Sequence, residues 1–354
     1  MAQAFFLQAF DRLFRPAPAI CECLAIGDTQ VGFAAPAHMP SSPLSAHERF
    51  LFDLNGFLVL KGVFTKDEID AANRAVDVHT NKLFAREPGD LRNAKANTPL
   101  AAAGPRLDMG GMLWWPDTDA DLFRDVLAHQ KLVPYLTALL GEGYRLDHQP
   151  LLIAQHANSE GFSLHGGPVT RAGHFSPELQ YRCVNGQPWT SLLALSVQLV
   201  DHNPGDGGFC VVRGSHKLNF GVPDDFADGV SKDFAEHVYQ PSTKAGDVVL
   251  WSEATVHGAT PWHASHQRRI ALYRFAPANM GYGRGVYDVP ASDLARLTPL
   301  QRAVVEPPYS TRLERPLVTA EAVSAAEGDR QPIKRQRNSA KKELDKKLFG
   351  TAYF

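Results

Sequence analysis

The chain has 354 residues, of which 44% are apolar and 21% charged, a composition that excludes global disorder, collagen-like repeats and coiled coil. Its 36 basic side chains nearly cancel its 38 acidic ones, so no protein-wide field draws nucleic acid or an anionic membrane. No apolar run approaches the roughly 18 residues of a membrane-spanning helix. Four cysteines, Cys21, Cys23, Cys183 and Cys210, show no paired zinc spacing and read as reduced thiols. The expected partner is a small molecule, with neither nucleic acid nor membrane involved; nothing in the chain sets an oligomeric state.

Residues 1–45 read as an arm and linker. The first twenty mix a short apolar stretch with Arg12, Arg15 and the acidic Asp11, and residues 34–45 are rich in Pro and Ser. The expected compartment is the cytoplasm, with organellar import through the N-terminal segment as the alternative. The folded core is expected from residue 46. GFLVLKGVF (56–64) reads as a strand, and Thr65 with Glu68 forms a capping box that opens a helix carrying Ile69, Ala72, Val76 and Leu83 at helical spacing. Residues 119–140 read as one helix broken near Pro134 and stopped by Gly141. From 144 to 276 the chain turns to short apolar strands separated by Gly, Pro, Asn and Asp: YRLDHQPLLIAQ, TSLLALSVQLVD, GFCVVRG, DVVLWSEATV and RIALYRFA. Helices followed by antiparallel-type strands predict an α+β layout around one closed or sandwiched β-core. Thr298 before Pro299 marks a late helix, and 286–354 reads as a helical extension with a basic tail.

Two histidines have informative settings. His165 opens the loop LHGGP, and His257 ends DVVLWSEATVHGA, read as one strand. Far apart in sequence, they can share a ligand only if two strands of one barrel bring them together. Neutral imidazoles suit divalent iron, zinc, copper or nickel. Arg268 follows His257 by eleven positions at a strand start, where a rigid guanidinium fork could hold a carboxylate inside the barrel. Ser215-His216 lacks a nucleophile elbow and GYGRG (281–285) lacks the Lys-Ser/Thr of a phosphate loop, so both read as turns.

The segments FLFDLNGFLVLKGVFTKDEIDAA, VDHNPGDGGFCVVRGSHK, GDVVLWSEATVHGA and RRIALYRF, with the histidine loop, resemble the phytanoyl-CoA dioxygenase family of iron(II)- and 2-oxoglutarate-dependent oxygenases over about residues 46–280, which implies a catalytic domain at 46–285. The resemblance implies a double-stranded β-helix, a jelly-roll (cupin-like) barrel flanked by helices. It implies His165 and His257 as iron ligands and Arg268 as the grip on the distal carboxylate of 2-oxoglutarate, with Arg269 the fallback if the register slips by one and Gln155 near the cosubstrate. The implied reaction is hydroxylation of an unidentified small organic substrate coupled to decarboxylation of 2-oxoglutarate to succinate. Arg171, His174, Tyr181, Arg182, Trp189 and Trp251 are candidates for the substrate side.

One position departs from the family. Its His-x-Asp motif supplies the third ligand, whereas the corresponding triplet here is His165-Gly166-Gly167. Three explanations follow: a carboxylate elsewhere substitutes, with Glu178 and Asp201 the nearest donors; chloride takes the vacant position at Gly167, as in halogenases of this class; or the fold is a non-catalytic small-molecule binder.

Overall fold

Ser45 caps the first helix. Its side chain accepts from the Glu48 amide while Glu48 reaches back to the Ser45 backbone, a capping box that starts α1 (Ala46–Asn55), and Gly56 ends that helix in the left-handed region. The computed structural model describes residues 44–86, 93–282 and 289–308, with short pieces at 316–318, 323–324, 333–334 and 347. Cys21, Cys23, the N-terminal arm and nearly all of the basic tail lie outside the described residues, as does most of GYGRG.

Strand β1 (Phe57–Leu60) follows, then α2 (Lys66–Val78), opened by the Thr65–Glu68 capping box that the sequence predicts. Next come β2 (Phe84–Ala85) and β3 (Leu107–Gly110). The helix expected over 119–140 is two helices, α3 (Asp117–Asp125) and α4 (Val133–Leu140). Pro134 does not kink a continuous helix: it sits in the first turn of α4, where its missing N–H has no intrahelical partner to lose.

The strands are β4 (Arg145–Gln155), β5 (Phe162–His165), β6 (Tyr181–Val184), β7 (Gln187–Thr190), β8 (Leu193–Gln198) and β9 (Gly208–Val212). After two one-turn helices, α5 (Asp224–Ala227) and α6 (Phe234–His237), come β10 (Val238–Tyr239), β11 (Val248–Ser252), β12 (His257–Thr260) and β13 (Arg268–Ala276). Finally α7 (Ala291–Leu294) precedes α8 (Pro299–Val305), capped by Thr298. A seven-stranded antiparallel sheet runs β1-β11-β8-β13-β4-β3-β2 and a four-stranded one β10-β9-β12-β5, while β6 and β7 form a separate hairpin. The α+β class expected from the sequence is what the chain adopts.

Side-chain alternation along β13 sorts the two interiors. Ala271, Tyr273 and Phe275 join the core under the helices, together with Leu136 of α4 and Val304 of α8. Ile270 and Leu272 face the other way, into a smaller core shared with Phe209 and Val211 of β9 and Trp251 of β11. The two sheets therefore pack face to face over that second core. The fully buried Tyr273 also donates its hydroxyl to the Phe123 carbonyl, tying the sheet to α3.

A candidate metal centre between the sheets

The segment DVVLWSEATVHGA is not one strand. Strand β11 stops at Ser252, where the Ser252 carbonyl accepts from the Thr255 amide and the Ser252 hydroxyl from the Ala254 amide. That closes a side-chain-supported turn of the kind serine favours. The Thr255 hydroxyl donates to the Gly56 carbonyl and the Val256 amide to the Ser215 hydroxyl, and His257 then opens β12 in the other sheet. The β-branched Thr255 and Val256 invite the strand reading, but the turn's hydrogen bonds override their propensity.

This crossing assembles the site. His257 pairs in register with His165 on β5, so both rings project from one face, with centroids 4.3 Å apart. The ligand atoms of His165, His257 and Glu253 all lie within 4.8 Å of one another. His257 Nδ1 is 2.7 Å from the Thr255 carbonyl and His165 Nδ1 3.1 Å from the Ser163 carbonyl. A carbonyl only accepts, so each Nδ1 carries the proton and each Nε2 keeps its lone pair, the tautomer a metal needs. Burial alone would raise the pKa of Glu253, but the Arg274 guanidinium holds it well below the usual carboxylate range. Two neutral imidazoles and one buried carboxylate fit a divalent first-row ion with three coordination positions left open.

The cluster borders a cavity of about 380 Å³ walled by Leu151, Ile153, Phe209, Trp251, Ile270 and Leu272, with Arg86, Arg106, Arg268 and Arg274 as its cations. Arg268 is 1% exposed and donates to Gln155 Oε1 at 2.6 Å, while its Nε meets no partner among the described residues. Burial, with Arg106 nearby, lowers its pKa to about 9, so it remains charged at neutral pH. A buried guanidinium without a carboxylate partner fits an anionic ligand. Arg106 forks onto the fully buried Asp108, to which Arg86 also donates.

Of the residues the sequence nominates, His165, His257, Arg268 and Trp251 line this cavity, and Gln155 supports Arg268 from the neighbouring strand. The others lie elsewhere. Glu178 is exposed in its loop beside Ser176, and Asp201 accepts from Lys244 and the Ala245 amide, a turn role, so neither joins the histidines. Arg269 alternates to the opposite face of β13 and pairs with Asp77 of α2, which removes it as the fallback. Arg171 pairs with Asp224, His174 is an exposed loop residue, Tyr181 donates to Asp53, and Arg182 lies over Trp189 on the β6–β7 hairpin. Ser215-His216 forms a single helical turn, as the sequence reading has it.

Gly166 and Gly167 both adopt positive φ, +93° and +94°. A Cβ on Gly166 would stand 2.6 Å from the Thr255 carbonyl oxygen and 2.8 Å from that of Glu253, so glycine there lets the His165 loop close on the Glu253 turn. At Gly167 the nearest atom to such a Cβ is Val256 Cγ2, at 3.5 Å. The sequence reading misses Glu253, Arg106 and Arg274. Signals for two of them exist: Glu253 stands four residues before His257 on the far side of a Ser-led turn, and the alternation that turns Arg268 inward also turns Arg274 inward.

The family model described as phytanoyl-CoA dioxygenase matches residues 52–270. A curated relative, the ectoine dioxygenase of Sphingopyxis alaskensis, is 22% identical over 242 residues, covering 62% of this chain and 71% of the relative. Among solved structures, HygX from Streptomyces hygroscopicus with nickel and 2-oxoglutarate bound superposes with a TM-score of 0.54 at 20% identity, covering 70% of this chain and 93% of that one. The same protein with iron bound gives 0.51 at 19% identity.

Proposed function

Given that the chain belongs to the phytanoyl-CoA dioxygenase family and is an iron(II)- and 2-oxoglutarate-dependent oxygenase by class, we propose that His165, His257 and Glu253 hold its metal. In this reading the third ligand has moved from the residue two past the first histidine to the turn that precedes the second. The observation that carries it is the convergence of these three side chains on one cavity that the charged Arg268 also enters.

When bound, the metal and 2-oxoglutarate supply oxygen activation coupled to release of carbon dioxide and succinate. The chain's own residues do the rest. The Ser163 and Thr255 carbonyls fix both imidazole rings in the Nε2-donor tautomer. Glu253, its pKa held down by Arg274, offers a carboxylate oxygen. Arg268, steadied by Gln155, takes the remote carboxylate of the cosubstrate. The apolar walls exclude water from the reacting region, and Trp251, Leu151 and Leu272 bound the space for a small organic substrate. The two packed antiparallel sheets suit the double-stranded β-helix that the family resemblance implies. HygX has also been solved with hygromycin B bound, which supports a small-molecule substrate in this chain too. Halogenation requires the carboxylate ligand to be missing, and Glu253 argues against it.

The test is anaerobic titration with iron(II) and 2-oxoglutarate, followed by the visible charge-transfer absorption, then by succinate release in air. The band is expected in the wild type and in Glu178→Ala and Asp201→Ala, and absent in His165→Ala, His257→Ala and Glu253→Ala. Succinate release is expected to be indifferent to chloride. A full band in Glu253→Ala, or turnover that requires chloride, overturns this assignment.

A further inference from the structure

The inward face of β13 carries a cation at each end. Arg268, Ile270, Leu272 and Arg274 all line the cavity, and the two arginines, six residues apart, are separated by roughly 20 Å of strand at about 3.3 Å per residue. At the Arg274 end the pairing with β4 slips: Leu272 pairs with Leu151 but Arg274 pairs with His148, so β4 spends an extra residue there. Such bulges re-aim side chains beside active sites. Arg274 ends with Nε 2.7 Å from Glu253 Oε1, while Glu253 Oε2 lies 3.7 Å from His257 Nε2. The two carboxylate oxygens thus face different partners, one the guanidinium and the other His257.

Coordination number gives this division a consequence. With two imidazoles and one carboxylate oxygen, a six-coordinate ion keeps three open positions. A carboxylate binding through both oxygens leaves only two. A glutamate side chain has three rotatable bonds and can present one oxygen or both, and here the Arg274 contact holds one oxygen back.

We propose that Arg274 is a positioning residue that retains Glu253 Oε1 and presents Oε2 alone to the metal, making the relocated carboxylate a one-oxygen ligand. This rests on Glu253 being a metal ligand. The arrangement belongs to this chain's displaced carboxylate, since the guanidinium acts on the residue that stands outside the His-x-Asp pattern.

The experiment measures nickel(II) binding to the full chain by calorimetry for wild type, Arg274→Met, Arg274→Lys, Glu253→Gln and the Glu253→Gln/Arg274→Met double variant. Thermal melting of each metal-free protein reports its fold. Outer partners of metal ligands typically contribute about 10- to 100-fold in affinity, and a loss of that size is expected for Arg274→Met, with Arg274→Lys restoring most of it. In the Glu253→Gln background, Arg274→Met should weaken binding no more than about 3-fold further, the mark of a residue acting through Glu253. Wild-type affinity in folded Arg274→Met, or its full loss repeated on top of Glu253→Gln, overturns the proposal while leaving the metal site standing. Wild-type affinity in Glu253→Gln overturns the metal assignment itself. Should Arg274→Met fail to fold, Arg274→Gln, which keeps a donor without the charge, gives the same comparison.

Discussion

Glu253 Oε2 and His257 Nε2 stand 3.7 Å apart across a turn that leaves one sheet and enters the other. Because the acid is 3% exposed and joined to Arg274, its removal acts on stability as well as on chemistry. Glu253→Gln leaves a nearly buried guanidinium without its counter-charge, and such losses run to about 3 kcal/mol. Urea denaturation of the metal-free protein should show that drop, and Arg274→Met/Glu253→Gln should recover part of it by removing both charges. Equal midpoints for wild type and Glu253→Gln would contradict the pair's role.

Arg268 and Arg269 offer an internal control. Arg268→Ala should raise the KM for 2-oxoglutarate at least about tenfold, since a buried charge-assisted contact is worth roughly 1.5–3 kcal/mol. Arg269→Ala removes a pair with Asp77, whose side chain is 60% exposed, and should cost under about 1 kcal/mol with no change in KM. Steady-state succinate assays over a range of cosubstrate concentrations separate the two.

The glycine pair after His165 makes an unequal prediction. Gly166→Ala meets two carbonyl oxygens of the Glu253 turn below van der Waals distance, on top of a left-handed backbone. It should cost about 3 kcal/mol and displace the Glu253 turn, weakening nickel(II) binding. Gly167→Ala has room and carries only the backbone penalty, about 1–2 kcal/mol. Thermal melts and metal titrations giving both variants the same losses would show that the close approach at Gly166 is inconsequential.

His216 sets a pH dependence away from the metal centre. Burial, then the neighbouring Lys217 charge, lowers its pKa from 6.5 to about 4. Its Nε2 donates to the Asp53 carbonyl while Nδ1, buried beside Gly56, meets no partner among the described residues. A folded pKa below the unfolded one means the unfolded chain takes up the proton first. Stability present above pH 6.5 is therefore lost as pH falls toward 4, at up to about 1.4 kcal/mol per pH unit and about 3 kcal/mol in all. Unfolding free energies across that range should fall less steeply in His216→Gln. Parallel curves for the two proteins would assign the acid sensitivity to other groups.

Much of this site is legible before any coordinates. The capping box at Thr65, the helix start at Thr298, the strand segments between residues 144 and 276 and the His165–His257–Arg268 set all follow from local chemistry and from the family resemblance. Glu253 does not, because its position depends on where β11 ends, and the serine turn that ends it competes with a run of residues that favour strand. Glu178 and Asp201 are nearer to the His165 loop in reading order, but the strand pairing brings the Glu253–His257 turn, not those residues, to that loop. Arg269 and Arg268 differ by one position and face opposite sides of β13, which only the register decides.

The proposed donor set also straddles two layers. His165 and His257 belong to the four-stranded sheet, whereas Glu253 hangs from the end of β11 and Arg274 from β13 in the seven-stranded one. An ion seated among them is thus a rivet through the sandwich as well as a reagent. Loading the protein should slow amide exchange along β12 and β5 together, and stripping it should let the sandwich loosen at this end.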